Sequence, residues 1–331
     1  MNIKKIGLTA LAGSLVATSA MAGEMSISGG AKISYVTKSG SIADSDVASG
    51  FAMDQELTAS GSGELDNGMT VSVKHGLATG GSASDTSSLT LDMGDMGAIS
   101  YNDTDGGAGL RSIDDVMPTA YEEANDGLGT TGTALNMAQM ATGAGFGYTN
   151  TINNLSVNIG WSDGLGATTN RSDGSQDTTV ASTNSSSSVA LTYSLEDLGL
   201  TVFGGTGTEG QADGKELDHS TVGAKYAYGP VTVGYQTNSE EDSDSTATNT
   251  DLDTTIYSVA FNVNDNLSIS YGEHNTEKEG SSDADQEVES MQASYSMGGM
   301  TVNIKDSEVT NAANTSGNTH ETTEVLVTFA F

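Results

Sequence analysis

After its first twenty or so residues the chain is built from short runs in which every second residue is apolar. Sixteen such runs occur, at 26–36, 55–64, 70–77, 88–93, 98–101, 145–151, 155–161, 188–195, 200–205, 221–228, 231–237, 254–262, 267–274, 289–296, 301–307 and 324–331. Alternation with a period of two marks a strand with one apolar and one polar face. Beyond residue 22 no apolar stretch approaches the ~18 residues of a membrane helix. If the chain enters a membrane, it does so with strands.

The connections sort by length. "LDNGM", "MGDMG", "INNL", "EDLG", "YGP", "NDN" and "MGGM" are short and rich in Asn, Asp, Gly or Pro, as tight hairpins require. They alternate with long segments at about 37–54, 78–87, 102–144, 162–187, 206–220, 238–253, 275–288 and 308–323. A sandwich would mix turn lengths at both ends. Strict alternation puts the short turns on one rim and the long loops on the other. This predicts an all-β fold: a 16-stranded antiparallel up-and-down transmembrane β-barrel whose first and last strands pair.

One phase of the runs carries Val71 and Val73, Leu89 and Leu91, Val157, Ile159 and Trp161, Tyr257, Val259 and Phe261, and Val325, Val327 and Phe329. The other phase is Ser, Thr, Asn, Gly, Gln and charged residues, so apolar atoms should face outward and polar atoms inward. Strand 9, "LTVFGG", is ambiguous, because Val202 and Phe203 fall on different phases. Ten of the eleven tyrosines, all but Tyr121, lie in or at the ends of these runs. Amphipathic rings at barrel rims account for this, as does the β-propensity of tyrosine.

The start of the chain reads differently. "MNIKKIGLTALAGSLVATSAMA" has Lys4 and Lys5, an apolar run and a closing Ala20-Met21-Ala22, the pattern of a secretory leader over 1–22. The mature barrel then spans 23–331. Eleven basic residues, two of them in the leader, stand against 44 acidic ones. Such a balance argues against electrostatic binding of nucleic acid. Cysteine is absent, which removes disulfides and thiolate metal sites.

With its leader, its opening strand "SISGGAKISYV", its sixteen strands, the long third loop "NDTDGGAGLRSIDDVMPTAYEEANDG" and its final Phe331, the chain resembles the general diffusion porins of Gram-negative outer membranes, in particular their alphaproteobacterial branch. The resemblance implies a homotrimer of water-filled barrels in the outer membrane, with the third loop, about 102–144, folded inward to narrow each pore. The loop lacks the Pro-Glu-Phe-Gly motif of enterobacterial members and has "VMPTAY" in its place.

A passive pore has no reaction to catalyse; it filters at its narrowest section. The third loop supplies Asp103, Asp105, Asp114, Asp115, Glu122, Glu123 and Asp126 with one basic residue, Arg111. Within it "SIDDVMPTAYEEA" could form a short helix broken at Pro118 and pack on an inner wall, or the loop could remain external and solvated. Lys32, Lys74, Lys225 and Lys305 lie on the polar phase and should point into the lumen, three of them on strands 1, 3 and 15, which closure makes near neighbours. Facing an acidic loop, they would set a field across the pore. The expected function is passive diffusion of small hydrophilic solutes and ions with weak cation preference. The alternatives are a substrate-specific channel and, with less support, an adhesive barrel.

Gly29, Ala31, Ala59, Gly61 and Gly63 occupy the outward phase of strands 1 and 2, where small residues either admit a second subunit's wall or relieve curvature. "GWSDG" at 160–164 fits a nucleophile pattern in the wrong context, since no helix follows. The four histidines lack zinc spacing. No cofactor is expected, although "DTDGG" and "SEEDSDSTATNTD" are acidic enough to hold Ca²⁺. Phe329 and Phe331 match the family's signal to the barrel assembly machinery, with outer-membrane lipid as the remaining partner.

Overall fold

The structure, a computed structural model, describes residues 25–41, 49–78, 86–102, 108–128, 145–162, 185–210, 215–242, 251–279 and 284–331. The leader 1–22 and the acidic stretches 103–107 and 243–250 lie outside them. Sixteen strands form one sheet: β1 (Met25–Gly40), β2 (Gly50–Glu64), β3 (Thr70–Ala78), β4 (Thr86–Asp92), β5 (Ala98–Asn102), β6 (Gly145–Ile152), β7 (Leu155–Ser162), β8 (Ser186–Leu195), β9 (Leu200–Gly210), β10 (Glu216–Tyr228), β11 (Val231–Asp242), β12 (Leu252–Asn264), β13 (Leu267–Lys278), β14 (Gln286–Met297), β15 (Met300–Thr310) and β16 (Thr319–Ala330). Each pairs antiparallel with its sequence neighbours, and β1 pairs with β16 to close the barrel. Closure leaves no bare edge.

Several strands outrun the alternating segments. β1 continues to Gly40 and β2 begins at Gly50, so the first long loop is shorter than the 37–54 expected. β13 to β16 extend in the same way at the loop rim, to Lys278, from Gln286, to Thr310 and from Thr319, with Glu273, Glu289, Glu308 and Glu321 side by side on the outer face. Above the lipid belt both faces meet water. There the ladder continues but the apolar alternation stops, so the pattern marks the lipid-facing belt and not the full strand.

The register fixes the faces. Val73 lies opposite Leu89, Leu89 opposite Tyr101, Tyr101 opposite Phe146 and Phe146 opposite Trp161. All five are exposed, as are Ile159, Leu191, Tyr257, Phe261, Ile269, Val325 and Phe329. Aromatic pairs tie neighbouring strands on this face, among them Tyr35 with Phe51 at 4.7 Å and Tyr235 with Tyr257 at 5.3 Å between ring centroids. Strand 9 resolves clearly. Phe203 lies opposite Gly223, is 4 % exposed and points inward, while Val202 faces out.

Buried apolar side chains sit inside the lumen rather than between sheets. Leu110, Ile113 and Met117 of the third loop pack on Ala190, Phe203 and Ile256, and Ala124 and Leu128 pack on Val288, Val309 and Ala312. Ala312 belongs to a second inward turn, between β15 and β16, pinned by Asn314 Nδ2 donating to the Thr276 and Ala284 carbonyls at 2.9 and 3.1 Å. The two inward segments together fill the lumen against β13 to β15.

Candidate functional site: the loop-3 eyelet

The third loop runs around the inner wall from β7 to β15. Its described part, 108–128, opens on a single 3-10 turn, Gly109–Ile113, against β7, β8 and β9, where Leu110 N donates to Ser188 Oγ at 3.1 Å. The expected helix over 112–124 does not form. The helical turn comes earlier, and Met117 and Pro118 instead pass in irregular backbone over Gly234 of β11. Proline lacks an N–H and disfavours helix in the residue before it, consistent with this shift.

Glycines on the inner wall make room for the path. A Cβ at Gly234 would sit 2.5 Å from Pro118 Cδ and 2.6 Å from Met117 Cε, and one at Gly160 would sit 3.0 Å from the Ala108 carbonyl. Such contacts are closer than carbon and oxygen atoms tolerate, so the loop can lie this near the wall only where side chains are missing.

Wall side chains then peg the loop from below. Ala120 N donates to Ser270 Oγ at 2.8 Å. Gln292 Oε1 accepts from Tyr121 N and Glu122 N at 3.1 and 3.0 Å, while its Nε2 donates to the Glu122 carbonyl at 2.7 Å. Lys305 Nζ donates to the carbonyls of Glu123 and Asp126, both at 2.7 Å, and lies 3.6 Å from Glu122 Oε2. Among the described residues, the loop thus lies over β6 to β15 and not over β16, β1 and β2.

The gap between the described loop and this wall, the candidate eyelet, is a space of about 390 Å³. Tyr121, Glu122, Asp126 and Gly127 line it from the loop; Lys32, Ser34, Ala52, Asp54, Glu324 and Leu326 line it from β1, β2 and β16. Lys32 Nζ lies 3.3 Å from Asp54 Oδ2, with both side chains about half exposed. Burial, Glu122 and Glu324 together hold the Tyr121 phenol well above its usual titration range, so its hydroxyl stays protonated. Burial likewise raises the Asp126 carboxyl, against the opposing pull of Lys305.

Lys32, Lys74, Lys225 and Lys305 share the inner face. Lys74 lies opposite Ser60 and Ser88, in a serine-lined space with Ser26, Ser62 and Ser72, and Lys225 lies opposite Gly234. Their settings differ from a free basic cluster. Lys305 is 3 % exposed beneath the loop and Lys32 is paired with Asp54, so neither offers an unopposed charge to the lumen. Of the acidic loop residues, Asp114 and Glu122 are half-buried, Asp115 is exposed, Glu123 is buried, and Arg111 sits in the 3-10 turn away from the eyelet. Asp103 and Asp105 lie outside the described residues. Among the described residues, one carboxylate group has oxygens within 4.8 Å of one another, Glu273, Glu287 and Glu289. It is on the outer face and not in the acidic loop stretches singled out for Ca²⁺.

Four residues of the site were missed in the sequence. Asp54 precedes the alternation of strand 2, which starts at 55, although the strand itself begins at Gly50. Glu324 is the polar-phase residue at the head of the last apolar run. Tyr121, the one tyrosine outside the runs, carried a signal in that isolation. Gln292 carried none, since any polar-phase residue could have met the loop.

The model of the Gram-negative porin family matches residues 7–314. The chain belongs to that family. As a porin it is a passive, non-enzymatic pore of the outer membrane. Solved porins share its fold at low identity. A porin refined at 1.8 Å resolution is 16 % identical, with TM-score 0.68 over 93 % of this chain and 100 % of its own. The anion-selective porin from Comamonas acidovorans is 11 % identical, with TM-score 0.67 over 93 % and 99 %. Salmonella typhi OmpF in complex with daunomycin is 14 % identical, with TM-score 0.67 over 93 % and 98 %. No curated protein matches this porin's sequence.

Proposed function

We propose that this porin, with residues 1–22 removed on export, is a homotrimeric diffusion pore for small hydrophilic solutes with a weak preference for cations. The observation that carries the preference is the eyelet lining. Carboxylates stand on both faces, Glu122 and Asp126 on the loop and Asp54 and Glu324 on the wall, against Lys32 and the sunken Lys305. A constriction lined mostly by one sign of charge concentrates the opposite ion. An anion-selective relative with the same fold shows that the barrel leaves the sign open, so the lining residues must set it. Reversal potentials across a salt gradient in planar bilayers test the reading: potassium should carry more current than chloride, and a chloride preference would refute it.

The outer face of β1 to β4 supports self-association. It interleaves Ala31, Ala59 and Gly61 with the polar Gln55 and with His75, whose Nδ1 lies 2.7 Å from Ser87 Oγ. Polar side chains in hydrocarbon are costly, whereas against another subunit they can be matched. A Cβ at Gly61 would meet nothing within 4 Å among the described residues, so the small residue leaves room for a neighbour. Gly61→Arg should leave a folded barrel that migrates as a monomer in mild detergent.

A further inference from the structure

Glu123 is buried in the loop's seat. It is 8 % exposed, its Oε1 accepts from Met117 N at 3.3 Å, and its own N–H donates to Asp126 Oδ2 at 3.0 Å. The next residue, Ala124, packs into the apolar cluster with Val288 and Val309, and a Cβ at Gly272 would lie only 3.3 Å from it. A carboxyl here has little water to solvate a charge.

The charges around it do not compensate. Its electrostatic neighbours in the loop are Asp115, Asp114 and Asp126, all of like sign. From β15, Lys305 reaches the carbonyls of Glu123 and Asp126 and the Glu122 carboxylate; it makes no ion pair with the Glu123 carboxylate. From β13, His274 lies buried within electrostatic reach of Lys305. From β16, Glu324 interacts with Glu122 and adds a further negative charge. β14 offers Gln292 and Ser290, which do not titrate. Arg111 sits in the 3-10 turn at the start of the described loop, against β7, β8 and β9.

We infer that Glu123 is a positioning residue of the eyelet: as a neutral acid it holds loop 3 against the β13 to β15 wall, and loss of its proton releases the loop and widens the pore. Geometry supplies the coupling, because the segment that bears this carboxyl also bears the two carbonyls held by Lys305. Burial, reinforced by the neighbouring aspartates, pushes the Glu123 carboxyl up to about 8, against 4.5 for a solvated glutamate. A released loop therefore gives up a proton that the seated loop keeps. Seating is strongest below pH 4.5, weakens as pH rises from there, and has lost this contribution above about 8.

This inference rests on the pore reading above, and the experiment separates the two. Purified porin in liposomes is assayed for swelling with uncharged sugars of increasing size at pH 5, 7 and 9. Neutral solutes respond to pore width and not to the charge of the other eyelet carboxylates. The wild type should admit the largest permeant sugar severalfold faster at pH 9 than at pH 5. Glu123→Gln, a permanent neutral mimic, should stay at the slow rate throughout. Lys305→Met, which unpegs the same segment, should be fast throughout, and it tests the coupling should Glu123→Gln fail to fold. A wild-type rate that does not change with pH overturns the inference, as does an undiminished pH response in Glu123→Gln or in Lys305→Met. No swelling at any pH would instead refute the pore.

Discussion

Phe331 and Gly29 exchange a pair of backbone hydrogen bonds, Gly29 N to the Phe331 carbonyl at 2.9 Å and Phe331 N to the Gly29 carbonyl at 3.0 Å. The ladder that closes the barrel thus continues past the end of β16. Gly29 also gives the ring its place, since a Cβ there would lie 3.0 Å from Phe331 Cε2 and 3.2 Å from the Glu56 carbonyl. The outward glycine expected to serve a subunit contact or barrel curvature therefore makes room for its own chain. Gly29→Leu should lower the temperature at which the folded form is lost on detergent gels, by a stability loss of roughly 1–3 kcal/mol. The ring can swing away from a new side chain; the Glu56 carbonyl cannot.

Lys305 should matter more to the loop than to the barrel. Its two 2.7 Å bonds go to carbonyls of loop 3, while β15 is held by its ladders with β14 and β16. Lys305→Met removes two charge-assisted bonds, each worth about 1.5–3 kcal/mol. Single channels of this variant should show larger and noisier currents with unchanged heat-modifiable migration. Lys305→Arg keeps the charge but adds a planar fork where an ammonium fits, so it should restore the quiet state only in part.

The sequence disclosed what the lipid enforces. Outward residues such as Leu89, Trp161 and Tyr257 must be apolar along the whole belt, so their period shows without alignment or structure, and strand count and closure follow. The lumen imposes no such rule. Lys32, Lys74, Lys225 and Lys305 could be assigned to the inner face by phase, yet phase says nothing of what each meets. Lys305 proved to be a peg beneath the loop because a segment nearly two hundred residues away arrives over it, and no local pattern records that meeting. Gly160 and Gly234 belong to the same class. In sequence they are small residues in strands, and only the path of Ala108 and Pro118 gives them a purpose.

Gly234→Val tests that path. The added side chain would occupy the space of Met117 and Pro118, and neither the loop nor the strand has slack there, with Met117 itself 5 % exposed. Overpacking of this kind costs about 1–3 kcal/mol. The loop should lift from the β11 wall while β11 keeps its ladders, seen as faster amide exchange at Leu110, Ala120 and Tyr121 and no change in strand amides. Exchange at wild-type rates in the loop would show that the glycine is not needed for seating.

Selectivity should respond to two eyelet residues in opposite directions. Glu324 faces the gap from β16 and interacts with Glu122, Lys305 and Lys32, so Glu324→Gln removes a wall carboxylate while the hydrogen bonds from Lys305 to the loop carbonyls, which do not involve it, stay in place. Reversal potentials should then shift toward chloride. Lys32→Met removes the cation 3.3 Å from Asp54 and makes the gap more negative by one charge, so the shift should be toward potassium. Because Lys32 and Asp54 are about half exposed, water screens their pair and each shift should be modest and shrink at high salt. If both substitutions moved the potential the same way, charge at this gap would not be what sets the preference, and the filter would have to lie elsewhere along the lumen.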